Sequence, residues 1–500
     1  MHHNTYTLKR EYLRATALGS GHELQPTDVF GPEPRIAQAE RADMSHEKGS
    51  VLVVPSPDGA EPVAGLIELS SRGGFRTCRA LIKRNLTGGT GYGARGRRFP
   101  VPTRRMIVRS ATSLVAALVW AMSILGTATA GFPSTASDLP NWTAEQGSSD
   151  QSFTATEAVA HAQRFDVISA HIDAYKTYVG AMRTANPDLV LLAYVNAMFV
   201  PPIQSNQFYS WWYAKDANGN KVQSRYGNYM MNAASVGWRN YVRDLCVSRV
   251  QASGFDGCYL DMLGVAPLLF SYVTSPPINP ATGKVWTAAD YLRATSALAA
   301  NVKSGAGSAL VVGNGLRSGV DYFDPAAPSG QILNGIDGAS AEAFVRGVTQ
   351  PINTYRSETD WKKDVDLIVN AEARGKAVLT VTKTWVAGTA AQKDSWHQYA
   401  MASFLLGTSM KSYFFFSDSE SSDPLADHPW WHVDVGQPVA AYAKNAAGVY
   451  VRTFTNGKVL VNPSDTTHTV SLGGTYVDLY GNTKTSVTLG PHTGAVLTKA

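Results

Sequence analysis

Two acidic residues stand at the ends of short apolar segments. "SGFDGCYLDML" (253–263) runs through hydrophobic residues to Asp261, and "DGASAEAF" (337–344) brings in Glu342. A carboxyl that keeps its proton beside one that ionises can cleave a glycosidic bond. The first protonates the leaving oxygen, while the second attacks the anomeric carbon or activates water. The carboxyl separation such chemistry needs is ~5–5.5 Å for retention and ~6.5–9.5 Å for inversion. Each acid also has a plainer use, since an Asp after a strand can cap a helix and Glu342 stands one helical turn from Arg346.

Other polar residues close the apolar segments: His171 and Asp173, Tyr194 and Asn196, Tyr259 beside Asp261, Asn314, Thr382 and Trp385, and Asp418. Core packing would place Val, Ile or Leu there. Aromatic residues crowd the neighbouring intervals, with Phe208, Tyr209, Trp211, Trp212, Tyr213, Tyr226 and Tyr229 in one and Trp430 and Trp431 in another. Sugar C–H faces stack on such rings, and Asn, Asp and Arg bind hydroxyl edges. Around a catalytic pair of Asp261 and Glu342, the candidate substrate-binding residues are therefore His171, Asp173, Tyr194, Asn196, Trp211, Trp212, Tyr259, Asn314, Trp385 and Asp418.

These residues need a scaffold that brings strand ends together. "FDVISAHI" (165–172), "LVLLAYVN" (189–196), the segment before Asp261, "ALVVGNGL" (309–316), "GIDGASAEAF" (335–344), "AVLTVTKT" (377–384) and "SYFFFSDS" (412–419) read as strands, with an eighth expected near Trp142. Helical stretches such as "AADYLRATSALAANVKS" and "WKKDVDLIVNAEARG" separate most of them, and Gly254 is expected to stop the helix before the fourth strand. This alternation predicts an α/β fold, a (β/α)8 barrel over 140–435, with an open doubly wound sheet as the alternative. In a barrel every strand ends at one mouth. Neighbouring strands lie ~4.8 Å apart, so strands four and six are about 10 Å apart and their side chains can close much of that gap. From 436 to 500 short alternating strands and turn signals at Asn456-Gly457 and Gly481-Asn482 predict a small antiparallel, sandwich-like β domain that packs on the barrel, with carbohydrate binding as its alternative role.

The 500 residues, 44% apolar and 17% charged, suffice for a large core, and a net charge of +5 gives no argument for nucleic acid. Residues 1–105 mix Arg, Gly and Pro without periodicity, and are expected to be poorly ordered or an artefact of start-site choice. Their Gly91-Tyr92-Gly93-Ala94-Arg95-Gly96 lacks the preceding strand a dinucleotide site requires. Residues 106–130 have the layout of a signal peptide: Arg109, an apolar run from 114 to 125, and Ala128 and Ala130 before the cleavage point. Translation is expected to start at Met106 and the product to be secreted, without stable membrane insertion after cleavage. A membrane anchor is the alternative, although the run is short for the ~20 residues a span requires. His171 and Asp173 could begin a metal site, but the remaining histidines form no ligand-spaced set. No metal or cofactor is expected. No Gly-x-Ser-x-Gly elbow or phosphate loop occurs in the body. Of three cysteines, Cys78 lies in the extension, and Cys246 and Cys258 could form a bridge or remain two buried thiols.

Taken together, "FDVISAHI", "NPDLVLLAYVN", "SVGWRNYVRDLC", "SGFDGCYLDML", "VVGNGL" and "DGASAEAF", then "HPWWHVDVGQP" and a β tail, resemble the glycoside-hydrolase-like barrels grouped as hypothetical glycosyl hydrolase family fifteen. They are more distantly similar to endo-α-1,4-polygalactosaminidase barrels. The likeness runs over about 140–500. It implies Asp261 as nucleophile or base, Glu342 as proton donor, and a carbohydrate substrate for a secreted glycoside hydrolase. A barrel that binds carbohydrate without cleaving it is the competing reading. For catalysis, Glu342 is expected to have a raised pKa through partial burial, and Asp261 to remain ionised.

Overall fold

The computed structural model describes residues 132–133, 138–144 and 152–500, together with the backbone of two short strands, Val51–Leu52 and Gly65–Leu66, which pair antiparallel. The expected signal peptide and most of the N-terminal extension lie outside the described residues. The barrel and the C-terminal sheet belong to a compact unit that takes in Leu125–Ala500.

Eight parallel strands follow one another in order around a single sheet. They are β1 (Trp142–Thr143), β2 (Val167–Ala170), β3 (Val190–Asn196), β4 (Gly257–Asp261), β5 (Leu310–Asn314), β6 (Gly338–Ala341), β7 (Ala377–Lys383) and β8 (Tyr413–Ser417). A parallel bridge between Asn141 and Phe414 closes the circle. The expected (β/α)8 barrel is therefore present and the open sheet is excluded. Helices α1 (Ala155–Arg164), α2 (Val179–Ala185), α3 (Val236–Ser253), α4 (Ala288–Ala306), α5 (Glu358–Ala373) and α6 (Ala390–Gly407) cover the wall. Between β5 and β6 the crossover is reduced to one turn, Gly319–Tyr322, and the 3-10 segment Ser329–Asn334.

Local chemistry sets these boundaries. Thr154 and Thr389 build capping boxes with Glu157 and Gln392, and Ser235, Thr287 and Ser357 cap α3, α4 and α5 through their hydroxyls. Gly254 ends α3 in the left-handed region at φ 71°, as its position before β4 predicts. Cys246 on α3 and Cys258 on β4 form a disulfide with Cα atoms 5.9 Å apart, which settles the choice between bridge and thiols.

The barrel floor repeats. The residue just before each even-numbered strand is Asp166, Asp256, Asp337 or Ser412, and its side-chain oxygen accepts a hydrogen bond from the backbone of the strand before it. The donors are Asn141 N, Leu191 N and Val311 N, each at 2.8 Å, and Val378 N at 3.1 Å. Strand pairs 1–2, 3–4, 5–6 and 7–8 are thus pegged alike at their N-terminal ends.

Beyond the barrel, strands β9 (Ala443–Lys444), β10 (Tyr450–Thr453), β11 (Gly457–Asn462), β12 (His468–Asp478), β13 (Thr483–Leu489) and β14 (Thr493–Lys499) form an antiparallel sheet ordered β9-β10-β11-β14-β12-β13. It packs on α5 and α6. Helix α6 is buried almost all round, from Tyr399 to Gly407 without interruption, because barrel and sheet cover opposite sides. Gly494 permits this closeness, since a Cβ there would stand 2.7 Å from that of Ala402. Arg452 on β10 donates through Nη1 to the carbonyls of Leu405, Leu406 and Thr408, capping the C-terminus of α6 from outside the barrel.

Candidate active site

β3, β4, β5 and β6 deliver the site. In register, Asn196 pairs with Asp261 and Asn314 with Ser340, so these side chains leave the sheet at neighbouring heights. Asp261 is fully enclosed, 0% exposed. Its Oδ2 accepts from Tyr194 Oη at 2.8 Å, and its Oδ1 from Asn314 Nδ2 and Met262 N, both at 2.8 Å. Ser340 Oγ donates to Asn314 Oδ1 at 2.9 Å, which spends its single proton. The hydroxyl of Tyr259, 2.8 Å from Ser340 Oγ, must therefore be the donor of that pair. The network fixes the Asn314 amide so that its NH2 points at the carboxylate.

Burial pushes the Asp261 carboxyl up to about 6, with the charge of Glu342 as the next cause. The bonds from Asn314, Tyr194 and Met262 pull in the opposite direction. Tyr259 rises well above the ordinary phenol range through burial and through both acids, so its role as donor is stable. Glu342 lies just beyond β6 and keeps 23% of its side chain exposed. It lines a cavity of about 180 Å3 together with Met262, Leu263, Asn314, Arg317 and Gly347. Glu342 has the partial burial expected of it, but Asp261, expected to remain readily ionised, is the acid that burial pushes up. Asp261 is the enclosed acid because donors from β3 and β5 surround it, whereas Glu342 has passed the end of its strand and meets the cavity.

One site residue escaped the sequence reading. Lys383, the last residue of β7, has a side chain that is 0% exposed, with Nζ 3.7 Å from Glu342 Oε1 and 4.9 Å from the centroid of the Trp385 ring. A lysine closing a strand reads as a solvated end, and attention falls on its neighbours Thr382 and Trp385. Thr382 instead donates to the Phe344 carbonyl, and Trp385 Nε1 donates to Ser417 Oγ. The plainer partner for Glu342 also differs: Arg346 lies over Trp396 at 4.6 Å and donates to the Gln350 carbonyl.

Among the remaining expected site residues, the structure brings Tyr194, Tyr259 and Asn314 into the network and His171 alongside it. The His171 ring lies 5.2 Å from that of Tyr194, and burial, then Arg249, pushes it down to about 4, so it is neutral at neutral pH. β2 ends at Ala170, before His171, which stands at the start of the short helix Ile172–Tyr175 without a side-chain capping bond. Asp173 in its first turn pairs with Lys176 at 2.5 Å, half exposed. Asn196 turns back on the chain, its Oδ1 accepting from Met198 N and Phe199 N. Asp418 is exposed and bonded to Ser422 Oγ. Trp212 packs on the N-terminal end of α3 against Gly237, and Trp211, 61% exposed, stacks on Tyr209. Among the described residues no group of three or more His, Cys, Asp or Glu is placed to hold a metal ion.

Three loops at this side of the mouth carry left-handed residues other than glycine: Met262 (φ 69°) after β4, Arg317 (φ 59°) after β5 and Val345 (φ 55°) after β6. Such backbone costs about 1–3 kcal/mol per residue and persists where its surroundings impose it. Asp364 of α5 supplies part of that imposition. It is completely buried, accepts from Gly319 N and Val345 N, and pairs with Arg356 at 3.0 Å.

No protein of curated function matches the sequence. Solved structures with partial likeness include the glycoside hydrolase domain of PelA from Pseudomonas aeruginosa (13% identity, 57% of this chain and 95% of that one, TM-score 0.36). Another is the maltogenic α-amylase AmyB from Thermotoga neapolitana (11% identity, 72% and 98%, TM-score 0.45). The sequence matches hypothetical glycosyl hydrolase family 15 over residues 183–458, more than half of the 500 residues and a span that includes Asp261, Glu342 and Lys383. The chain belongs to that family of glycosyl hydrolases.

Proposed function

We propose that this protein hydrolyses an O-glycosidic bond of a poly- or oligosaccharide outside the cell, with Asp261 and Glu342 as the working carboxyl pair. Glu342 opens to the cavity and protonates the leaving oxygen. Asp261 attacks the anomeric carbon or activates water from the other side. The observation that carries this reading is the division of labour at the strand ends: one acid clamped by three donors, the other facing a cavity of about 180 Å3. Asp261 is sealed in this structure, so its encounter with a sugar requires the residues over it to move when substrate enters. The disulfide Cys246–Cys258 supports export, since such bonds persist in oxidising compartments.

The sealing of Asp261 favours one competitor, a barrel that binds carbohydrate and uses Asp261 only to hold its wall together. Screening purified protein against a polysaccharide panel separates the two. Cleavage that disappears in both Asp261→Asn and Glu342→Gln supports the hydrolase; binding without cleavage, or cleavage that survives either substitution, removes the assignment.

A further inference from the structure

We propose that Lys383 is the positioning residue of this carboxyl pair: its ammonium holds Glu342 at the mouth and stabilises the carboxylate that Glu342 becomes when it gives up its proton. The inference rests on Asp261 and Glu342 being the working pair. Lys383 enters the barrel end from β7, and its side chain is wholly removed from solvent, 3.7 Å from Glu342 Oε1. Its Nζ has no hydrogen-bond partner among the described residues. An ammonium is normally hydrated or fully paired, and leaving donors unsatisfied in such a place is costly unless the charge itself has a use.

That use comes from charge balance. Asp261 and Glu342 repel each other inside the wall, and two negative charges there without a cation would drive a proton onto one of them at any moderate pH. With Lys383 charged, that repulsion is offset, so Glu342 gives up its proton more readily than it would beside Asp261 alone. When Glu342 passes that proton to the leaving oxygen, the glycosidic C–O bond breaks and its electron pair goes with the oxygen. The new carboxylate is left facing the ammonium. Burial pushes Lys383 down from the ordinary amine range, and the charges of Glu342 and Asp261 offset part of that push. The pair is also faced by the Tyr194 hydroxyl, bonded to Asp261, by the neutral Tyr259 hydroxyl, and by Arg317, which lines the cavity with Glu342 and is paired to Asp321 at 2.9 Å. The ring of Trp385 covers the ammonium at 4.9 Å and adds cation–π attraction.

The test needs no substrate. Infrared difference spectra recorded across pH follow the Glu342 carboxyl, assigned by its disappearance in Glu342→Gln. In Lys383→Met and in Lys383→Gln, both of which remove the cation, the midpoint of that band is expected to rise by about one pH unit or more. In Lys383→Arg, which keeps the cation, it should stay near the wild-type value. A midpoint that does not rise in either charge-deleting variant, or that rises equally in Lys383→Arg, overturns the proposal. Because the readout is a titration, it can fail while the polysaccharide screen succeeds, and the reverse.

Discussion

The hydroxyl of Tyr194 on β3 reaches across to Asp261 on β4 and donates to its Oδ2 at 2.8 Å. This bond favours the charged carboxylate over the neutral acid. Tyr194→Phe should therefore leave the fold intact and move the Asp261 titration upward. A hydrogen bond to a charged group is worth about 1.5–3 kcal/mol, so the acidic limb of the pH–rate profile should rise by roughly one to two pH units. An unshifted limb would show that Tyr194 acts only in packing.

Asp261→Asn should abolish cleavage and, at pH 7, raise stability. The folded carboxyl is pushed up to about 6 from 3.8 by burial, so folding disfavours its ionised form. Between those values the folded state binds more protons than the unfolded one, and wild-type stability falls as pH rises through the window. Asn removes that contribution, on the order of 2–3 kcal/mol above pH 6. The advantage should shrink as pH drops toward 4, which thermal melts of the two proteins at several pH values will show.

Reducing Cys246–Cys258, or replacing both residues by Ser, should lower stability by about 3 kcal/mol for a bridge spanning 12 positions. Melting with and without reductant measures it. The bonds that hold Asp261 come from Tyr194, Asn314 and Met262 and do not pass through the bridge, so activity at temperatures well below the melt should persist.

Arg452→Met should destabilise the protein with little effect on kcat at low temperature. The substitution leaves the carbonyls of Leu405, Leu406 and Thr408 without their buried donor, costing about 1–3 kcal/mol. A melt that drops while kcat holds would place the role of the C-terminal sheet in supporting α6. A large change in kcat at unchanged melting would argue against that.

Much of this arrangement is legible in the sequence because it is local. Gly254 before an apolar run marks both the end of α3 and the start of β4, and Asp261 then falls at the mouth by counting. What does not show is which way a polar residue turns once it gets there. Asn196, Asp173 and Asp418 have the types of sugar ligands, yet each finds a nearer partner in its own loop. Lys383 fails in the opposite sense. Its type predicts solvent, and only the convergence of β4, β6 and β7 makes a buried cation tolerable. The burial of Asp261 is equally non-local, created by donors 67 and 53 positions away in the chain.

The motif "FDGCYLD" holds two aspartates of opposite employment. Asp256 grips the backbone of Leu191 at the floor, and Asp261 emerges at the mouth five residues later. The floor peg is thus the zero mark of a ruler, and strand length alone sets the height and facing of the upper acid. One residue inserted between them, however conservative, would turn Asp261 from the inside of the wall to the outside. Asp261 therefore depends on the number of residues between the two aspartates as much as on their kind.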